Sequence, residues 1–178
     1  ESKKLLLRII NDKWATSILG VAHFWLGEVC YLQKEYATAI LYYNKYISLG
    51  GVVSGEASPI HAYYNLGYCY LNLSQYKLSL SQFEKVRYGV QAGNTSLELD
   101  ARLRAADCQL LLRQYKNAKQ VYQAFVDMDA PAAPYAYFQL AAIAGVDNVS
   151  DKIRLLKELI VRYPQSPYVL NSKMSLAD

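Results

Sequence analysis

Two histidines, three cysteines and five prolines are all that the 178 residues contain of those types. Each scarcity excludes something. Cys30, Cys69 and Cys108 are odd in number and none belongs to a Cys-x-x-Cys pair, which argues against a disulfide framework and a structural zinc site. His23 and Cys30 lie seven residues apart and share a helical face, but a metal site needs three or four ligands, so core filler is the better reading. A glycine-rich phosphate loop, a Gly-x-Ser-x-Gly elbow and paired histidines are all missing. An enzyme is not expected, nor a cofactor or a small-molecule substrate. Long apolar runs are missing too. The longest stretch free of both charged residues and histidine, 130–146, contains Pro131, Pro134, Gln139 and Gly145 and falls short of a bilayer crossing. The opening ESKKLLLRIINDKW begins like a signal peptide, yet Arg8, Asn11, Asp12 and Lys13 interrupt it, so no targeting segment is expected. Nineteen basic and 15 acidic residues leave a net charge of +4 with both signs scattered, and no single-sign block points to nucleic acid or a membrane surface. What the chain has in plenty is aromatic residues, 13% of the total with 17 tyrosines, a composition that excludes disorder.

The chain repeats itself. AHFWLGEVCYLQKEYATAILYYNKYI from Ala22, AYYNLGYCYLNLSQYKLSLSQFEKV from Ala62 and ARLRAADCQLLLRQYKNAKQVYQAFV from Ala101 align at offsets of 40 and 39. Gly27, Gly67 and Ala106 coincide, as do Tyr36, Tyr76 and Tyr115, then Ala39, Ser79 and Ala118, then Tyr43, Phe83 and Tyr122. A fourth copy from Ala136 fits through Ala141, Ile153 and Leu156 with its middle turn one residue shorter. Each copy reads as two helices. Tyr63, Leu66, Gly67 and Tyr70 make one apolar face at i, i+3, i+4 and i+7, and Tyr76, Leu80, Phe83 and Val86 make another. The short turn LNLSQY requires the two to be antiparallel. Ser58 before Pro59 and Ser166 before Pro167 offer an N-cap followed by proline, and Thr95 with Glu98 forms a capping box. A small residue on the first helix lets the second approach, and an aromatic residue on the second fills the next layer. Residues 5–27 align with 155–177 at a constant offset of 150, so the chain is expected to open and close on half-repeats and to be an interior segment of a longer array.

Leu26-Gly27, Leu66-Gly67 with Tyr70, Ala39, Ala118, Phe83 and Pro164 carry a pattern that resembles the tetratricopeptide repeat (TPR). WLGE (25–28), RAADC (104–108) and RYPQSPYV (162–169) resemble bacterial cell-envelope members, among them the Tol-Pal-associated coordinator protein and long envelope arrays. The resemblance implies an all-α, right-handed superhelix (α-solenoid) of antiparallel helix pairs, with repeats at 19–57, 58–94, 95–130 and 131–164 and half-repeats at 2–18 and 166–178. It also implies a periplasmic or envelope-associated location, with the cytoplasm as the alternative. The periods exceed the family's 34, so segments such as GGVVSGEAS (50–58) are expected to lengthen the loops between repeats.

The family's concave wall is lined by the first helix of each pair. Here that arc carries Val21, Phe24, Glu28 and Tyr31, then His61, Tyr64, Tyr68 and Asn72, then Asp100, Leu103, Asp107 and Leu110, then Tyr135 and Phe138. The lysines and asparagines with which some members grip a C-terminal carboxylate are missing: the matching positions hold Phe24, Tyr64, Leu103, Phe138, Glu28, Tyr68, Asp107 and Ala142. What remains is an aromatic wall with three carboxylates, suited to a protein or peptide partner with apolar anchors and basic groups. Tyr36, Tyr43, Tyr76, Tyr115 and Tyr122 are expected in the core, and Tyr64, Tyr68 and Tyr135 on the wall. Stacking of RNA bases on Tyr64 or Tyr68 would need basic flanks, where the wall offers Glu28, Asp100 and Asp107 instead. The resulting expectation is a non-catalytic interaction scaffold that buries partner side chains against Phe24, Tyr64, Tyr68 and Phe138. The alternative is a structural spacer within a longer array, with no ligand of its own.

Overall fold

The computed structural model describes residues 2–11, 16–88 and 96–177. Among them are ten α-helices: α1 (Ser2–Asn11), α2 (Thr16–Leu32), α3 (Tyr36–Ser48), α4 (Pro59–Asn72), α5 (Tyr76–Tyr88), α6 (Ser96–Leu111), α7 (Tyr115–Asp127), α8 (Ala133–Ala144), α9 (Val149–Arg162) and α10 (Tyr168–Ala177). The fold is all-α, and no strand occurs among the described residues beyond an isolated bridge between Ser54 and Ala57. No helix among them is long and apolar enough to cross a membrane. The chain forms two compact units, Glu1–Cys108 and Gln109–Asp178.

Helix ends follow from local chemistry. Ser58 is extended (φ −146°, ψ 155°) and its hydroxyl accepts from the His61 amide at 3.3 Å, while Pro59 fills the first helical turn of α4, where no amide is needed. Asn148 caps α9 by accepting from the Asp151 amide at 3.0 Å, and the Ser166 hydroxyl accepts from the Tyr168 amide at 3.2 Å at the start of α10. Thr95, proposed above as half of a capping box, lies outside the described residues.

The turns inside the repeats are more uniform than their sequences. Lys34, Ser74 and Arg113 stand at one place in successive repeats and all adopt positive φ (61°, 58° and 59°). In each, that residue's amide and the next one's reach back to close the preceding helix. Lys34 bonds to the Tyr31 carbonyl and Glu35 to Cys30; Ser74 to Leu71 and Gln75 to Tyr70; Arg113 to Leu110 and Gln114 to Gln109. This is a Schellman closure made without glycine. The fourth repeat departs from it. There α8 ends three residues after Ala141, whereas α4 ends five after Gly67, and a longer connection with Asn148 as cap follows.

In the first unit, α2 with α3 and α4 with α5 pack as hairpins, and α1 packs on α2. The glycines explain how closely. A Cβ on Gly27 would lie 2.6 Å from Tyr43 Cε1, and one on Gly67 2.6 Å from Phe83 Cε1, so each ring of the second helix lies directly on bare backbone of the first. Ala39 and Ser79 are fully buried beside them. The Ser79 hydroxyl donates to the Gly67 carbonyl at 2.8 Å, and the Cys108 thiol reaches the same hydroxyl at 3.2 Å. Cys30, Cys69 and Cys108 are free and buried; burial pushes the Cys69 thiol up to about 12, which makes it inert.

The lengthened loop after α3 is built. Tyr46 is fully buried, and its hydroxyl donates to the Val52 carbonyl at 2.9 Å. Gly51 has φ +55°, and a Cβ there would meet Pro59 Cγ at 2.8 Å, so only glycine fits. Of the tyrosines expected in the core, Tyr43 and Tyr122 are fully buried. Tyr36, Tyr76 and Tyr115 are half-buried at the starts of α3, α5 and α7. In the second unit, α7 packs on α8 and α8 on α9, with Leu156 and Leu159 buried.

Candidate functional site

The first helices of the pairs in the first unit, α2, α4 and α6, hold most of the candidate wall. Phe24 does not belong to it. It is 2% exposed and packs edge-on against Tyr43 and Tyr46 with ring centroids 5.8 and 5.3 Å away, because position 24 lies one turn before Gly27 and turns toward α3. A partner has no access to this ring, and the expectation that it receives partner side chains is corrected accordingly. Leu103 is buried in the same way.

Tyr64 is the counterpart of Phe24 one repeat on, and its hydroxyl changes the outcome. Tyr64 and Tyr68 are half-buried, packed edge to face with ring centroids 5.0 Å apart, and Tyr68 also meets Phe83 edge-on at 5.3 Å. The Tyr64 hydroxyl donates to Asp100 Oδ2 at 2.8 Å, and the Tyr68 hydroxyl donates to the same oxygen. Arg104 continues the chain, with Nε 3.4 Å from Asp100 Oδ1 and Nη1 paired to Asp107. Asp107, only 9% exposed, is thereby tied to its own helix. Two rings from α4 are thus fixed by a polar ladder along α6. Burial, together with the bonds to Asp100, raises both phenol pKa values, that of Tyr64 to about 12, so neither ring ionises near neutrality.

Glu28 stands at the other edge of this surface. Its Oε1 accepts from the Tyr43 hydroxyl at 2.8 Å and from Asn65 Nδ2, which joins α2, α3 and α4 through one carboxylate. Desolvation raises its pKa, the Tyr43 hydrogen bond opposes that, the nearby Glu56 adds to it and His61 opposes it. His61 is half-buried, with Nδ1 2.7 Å from the Ser58 hydroxyl. Tyr31 is half-buried and packs edge-on against Tyr36 at 5.7 Å, and Asn72 is exposed, donating to the Tyr68 carbonyl at 2.8 Å.

Tyr135 and Phe138 belong to the second unit, where both are half-buried. Tyr168 from α10 lies 5.4 Å from the Tyr135 ring and stacks on Phe138 at 5.8 Å, forming an aromatic cluster of its own. The sequence reading did not select Asn65, Arg104 or Tyr168. Arg104 carried a signal, since its spacing of four from Asp100 and three from Asp107 is that of helix ion pairs. Asn65 carried none. Among the described residues, no group of three or more histidine, cysteine, aspartate or glutamate side chains is placed to hold a metal ion.

Models of the tetratricopeptide repeat match residues 60–86, the α4–α5 hairpin, and 100–129, which span most of α6 and α7. Two segments of the chain thus match the tetratricopeptide repeat. No curated protein matches the sequence. Among solved structures, a TPR protein from Parabacteroides merdae is similar with a TM-score of 0.77 at 16% identity, over 98% of this chain and 64% of its own. YrrB, described as a TPR protein with an unusual peptide-binding site, has a TM-score of 0.68 at 19% identity, over 87% of this chain and 74% of its own. MamA from Desulfovibrio magneticus RS-1 gives 0.68 at 19%, over 93% and 84%. At these identities the likeness is one of fold: an all-α array of TPR-type helix pairs. TPR repeats serve in protein interaction, and no enzymatic family is indicated.

Proposed function

We propose that this chain is a non-catalytic scaffold that docks a protein or peptide partner on the face formed by α2, α4 and α6. The observation that carries this is the half-buried pair Tyr64 and Tyr68, locked to Asp100 from a second helix. Rings whose rotamers are already fixed lose little entropy when a partner covers them, so they anchor a ligand better than mobile side chains do. Glu28, Tyr31, His61 and Asn72 border that pair, and Asp107 contributes charge rather than direct contact. Tyr135 and Phe138 form a separate apolar surface on the second unit. YrrB's peptide-binding site, on a similar fold, supports the reading by analogy. The resemblance of 25–28, 104–108 and 162–169 to envelope proteins supports an envelope location, which cell fractionation would test.

Selection of phage-displayed random peptides tests the docking face directly. The wild-type chain should enrich peptides that Asn72→Arg, a bulky change at an exposed position beside Tyr68, no longer holds while its circular dichroism is unchanged. Equal retention by both proteins would remove partner binding from this face. No enrichment on either would favour the spacer role.

A further inference from the structure

The carboxylates of the first unit are not equivalent. Asp100 and Asp107 share Arg104, and Glu35 pairs with Lys3 at 2.7 Å. Glu28 is more deeply placed than Glu35, yet among the described residues no basic side chain lies within ion-pair distance of it. Both of its donors, Tyr43 and Asn65, go to Oε1. Among the described residues Oε2 accepts no hydrogen bond, and it is not fully shut off from solvent. The carboxylate is therefore held in one orientation by groups from α3 and α4, with half of its acceptor capacity unused.

The distribution of charge points the same way. The helices α2, α4 and α6 carry Glu28, Glu98, Asp100 and Asp107 against Arg102 and Arg104, a net charge of −2. The other helices of the unit, α1, α3 and α5, carry Lys3, Lys4, Arg8, Lys45, Lys77, Lys85 and Arg87 against Glu84, a net charge of +6. The unit thus separates its charge between the two helix sets although the whole chain is positive. A ligand approaching α2 and α4 meets a negative field, and the added Glu56 deepens it near Glu28. Phosphate-bearing partners are repelled by that field. Cationic side chains are drawn in, and Tyr31, three residues along α2, offers a ring for the stem of a lysine or the plane of an arginine.

We propose that Glu28 Oε2 is the recognition point for a lysine or arginine side chain of the partner, so that the bound segment is a peptide with a basic residue between apolar ones. This rests on the docking face proposed above and names the chemistry of its ligand. The same phage selection, run on wild type and on Glu28→Gln, tests it. Glutamine keeps the shape and can accept from Tyr43 and Asn65, but it carries no charge. Wild-type selections should show lysine or arginine at one fixed position, and Glu28→Gln selections should keep the apolar positions without that preference. A fluorescently labelled wild-type consensus peptide whose basic residue is replaced by norleucine should bind wild type roughly tenfold more weakly, the scale of one charge-assisted hydrogen bond. The norleucine comparison decides the matter even where Glu28→Gln fails to fold. Peptides displaced by Asn72→Arg but indifferent to norleucine would overturn the cation site and leave the docking face standing. Peptides indifferent to both, or no enriched peptide at all, would remove both.

Discussion

Two glycines in helix interiors, Gly20 and Gly67, should respond to alanine with opposite signs. Alanine gains about 1 kcal/mol over glycine in a helix interior, so without contacts both changes would stabilise. At Gly20 the new Cβ would meet Tyr46 Cδ2 at 3.8 Å and Leu49 Cβ at 3.9 Å, which is ordinary van der Waals contact. Gly20→Ala should therefore gain about 1 kcal/mol. At Gly67 the Cβ would lie 2.6 Å from Phe83 Cε1 and 2.7 Å from both Cδ1 and Cζ. The ring has to retreat, and behind it stand Tyr64 and Tyr68, centroids at 6.1 and 5.3 Å, both tied to Asp100. Overpacking of this kind costs about 1–3 kcal/mol, more than the helix gains, so Gly67→Ala should lose about 1 kcal/mol net.

The decisive measurement is the cycle with Phe83→Leu, followed by urea unfolding monitored by circular dichroism. Leucine removes the flat ring, and alanine with leucine is the combination the fourth repeat already carries as Ala141 and Leu156, both buried. In the Phe83→Leu background, Gly67→Ala should turn from a loss into a gain, a coupling of about 2 kcal/mol. If Gly67→Ala stabilises the wild-type chain as much as Gly20→Ala does, ring-on-backbone packing is not what holds α4 to α5, and the repeat register built on it is wrong.

Ser74→Gly should stabilise by about 0.5–1 kcal/mol in the same assay, because a side chain in left-handed backbone costs about 1–2 kcal/mol, part of which glycine's unfolded-state entropy takes back. Tyr68→Phe keeps the ring on Phe83 but removes one donor from Asp100. It should cost about 1 kcal/mol and leave the circular dichroism spectrum unchanged, and an unaltered midpoint would deny that bond any weight. Glu28→Gln should be more stable than wild type at neutral pH. Desolvation, reinforced by Glu56 in the loop and opposed by the Tyr43 hydrogen bond from α3 and by His61 on α4, puts its folded pKa above its unfolded one. The folded state therefore holds the proton more tightly, and stability falls as pH rises through that window. The advantage of glutamine should shrink as pH drops toward the ordinary carboxylate range near about 4, and a constant gap across pH would refute it.

The helix pairs were legible because packing writes itself into sequence at fixed offsets. Gly27 and Tyr43, or Gly67 and Phe83, are two halves of one contact, and both halves recur together. The turns were legible only in length. Lys34, Ser74 and Arg113 share a left-handed backbone, but nothing in their side chains announces it; the hydrogen bonds back to the preceding helix impose it. In the fourth repeat the spacing from Ala141 to the second helix was readable, whereas its division between a shorter α8 and a longer connection was set by Asn148 acting as a cap.

The wall was harder to read, and Phe24 and Tyr64 show why. They occupy one place in successive repeats, and helical arithmetic assigns both to the same face. The difference is a hydroxyl. Phe24 has nothing to gain by staying near water and sinks onto Tyr43 and Tyr46, whereas Tyr64 has a polar tip that Asp100 holds at the surface. A wall residue is thus defined by a partner 36 positions away in sequence, which periodicity cannot supply. The same logic separates the carboxylates. Asp100 and Asp107 look as available in the sequence as Glu28, but Arg104 lies one helical turn from each and pairs with both within α6. No such neighbour exists for Glu28 on α2, a helix without lysine or arginine, so its charge has to be met from elsewhere. Desolvating an unpaired carboxylate costs stability in the free protein, and a basic side chain arriving with a partner removes that cost upon binding. The residue that weakens the free fold is for that reason the one best placed to choose what binds to it.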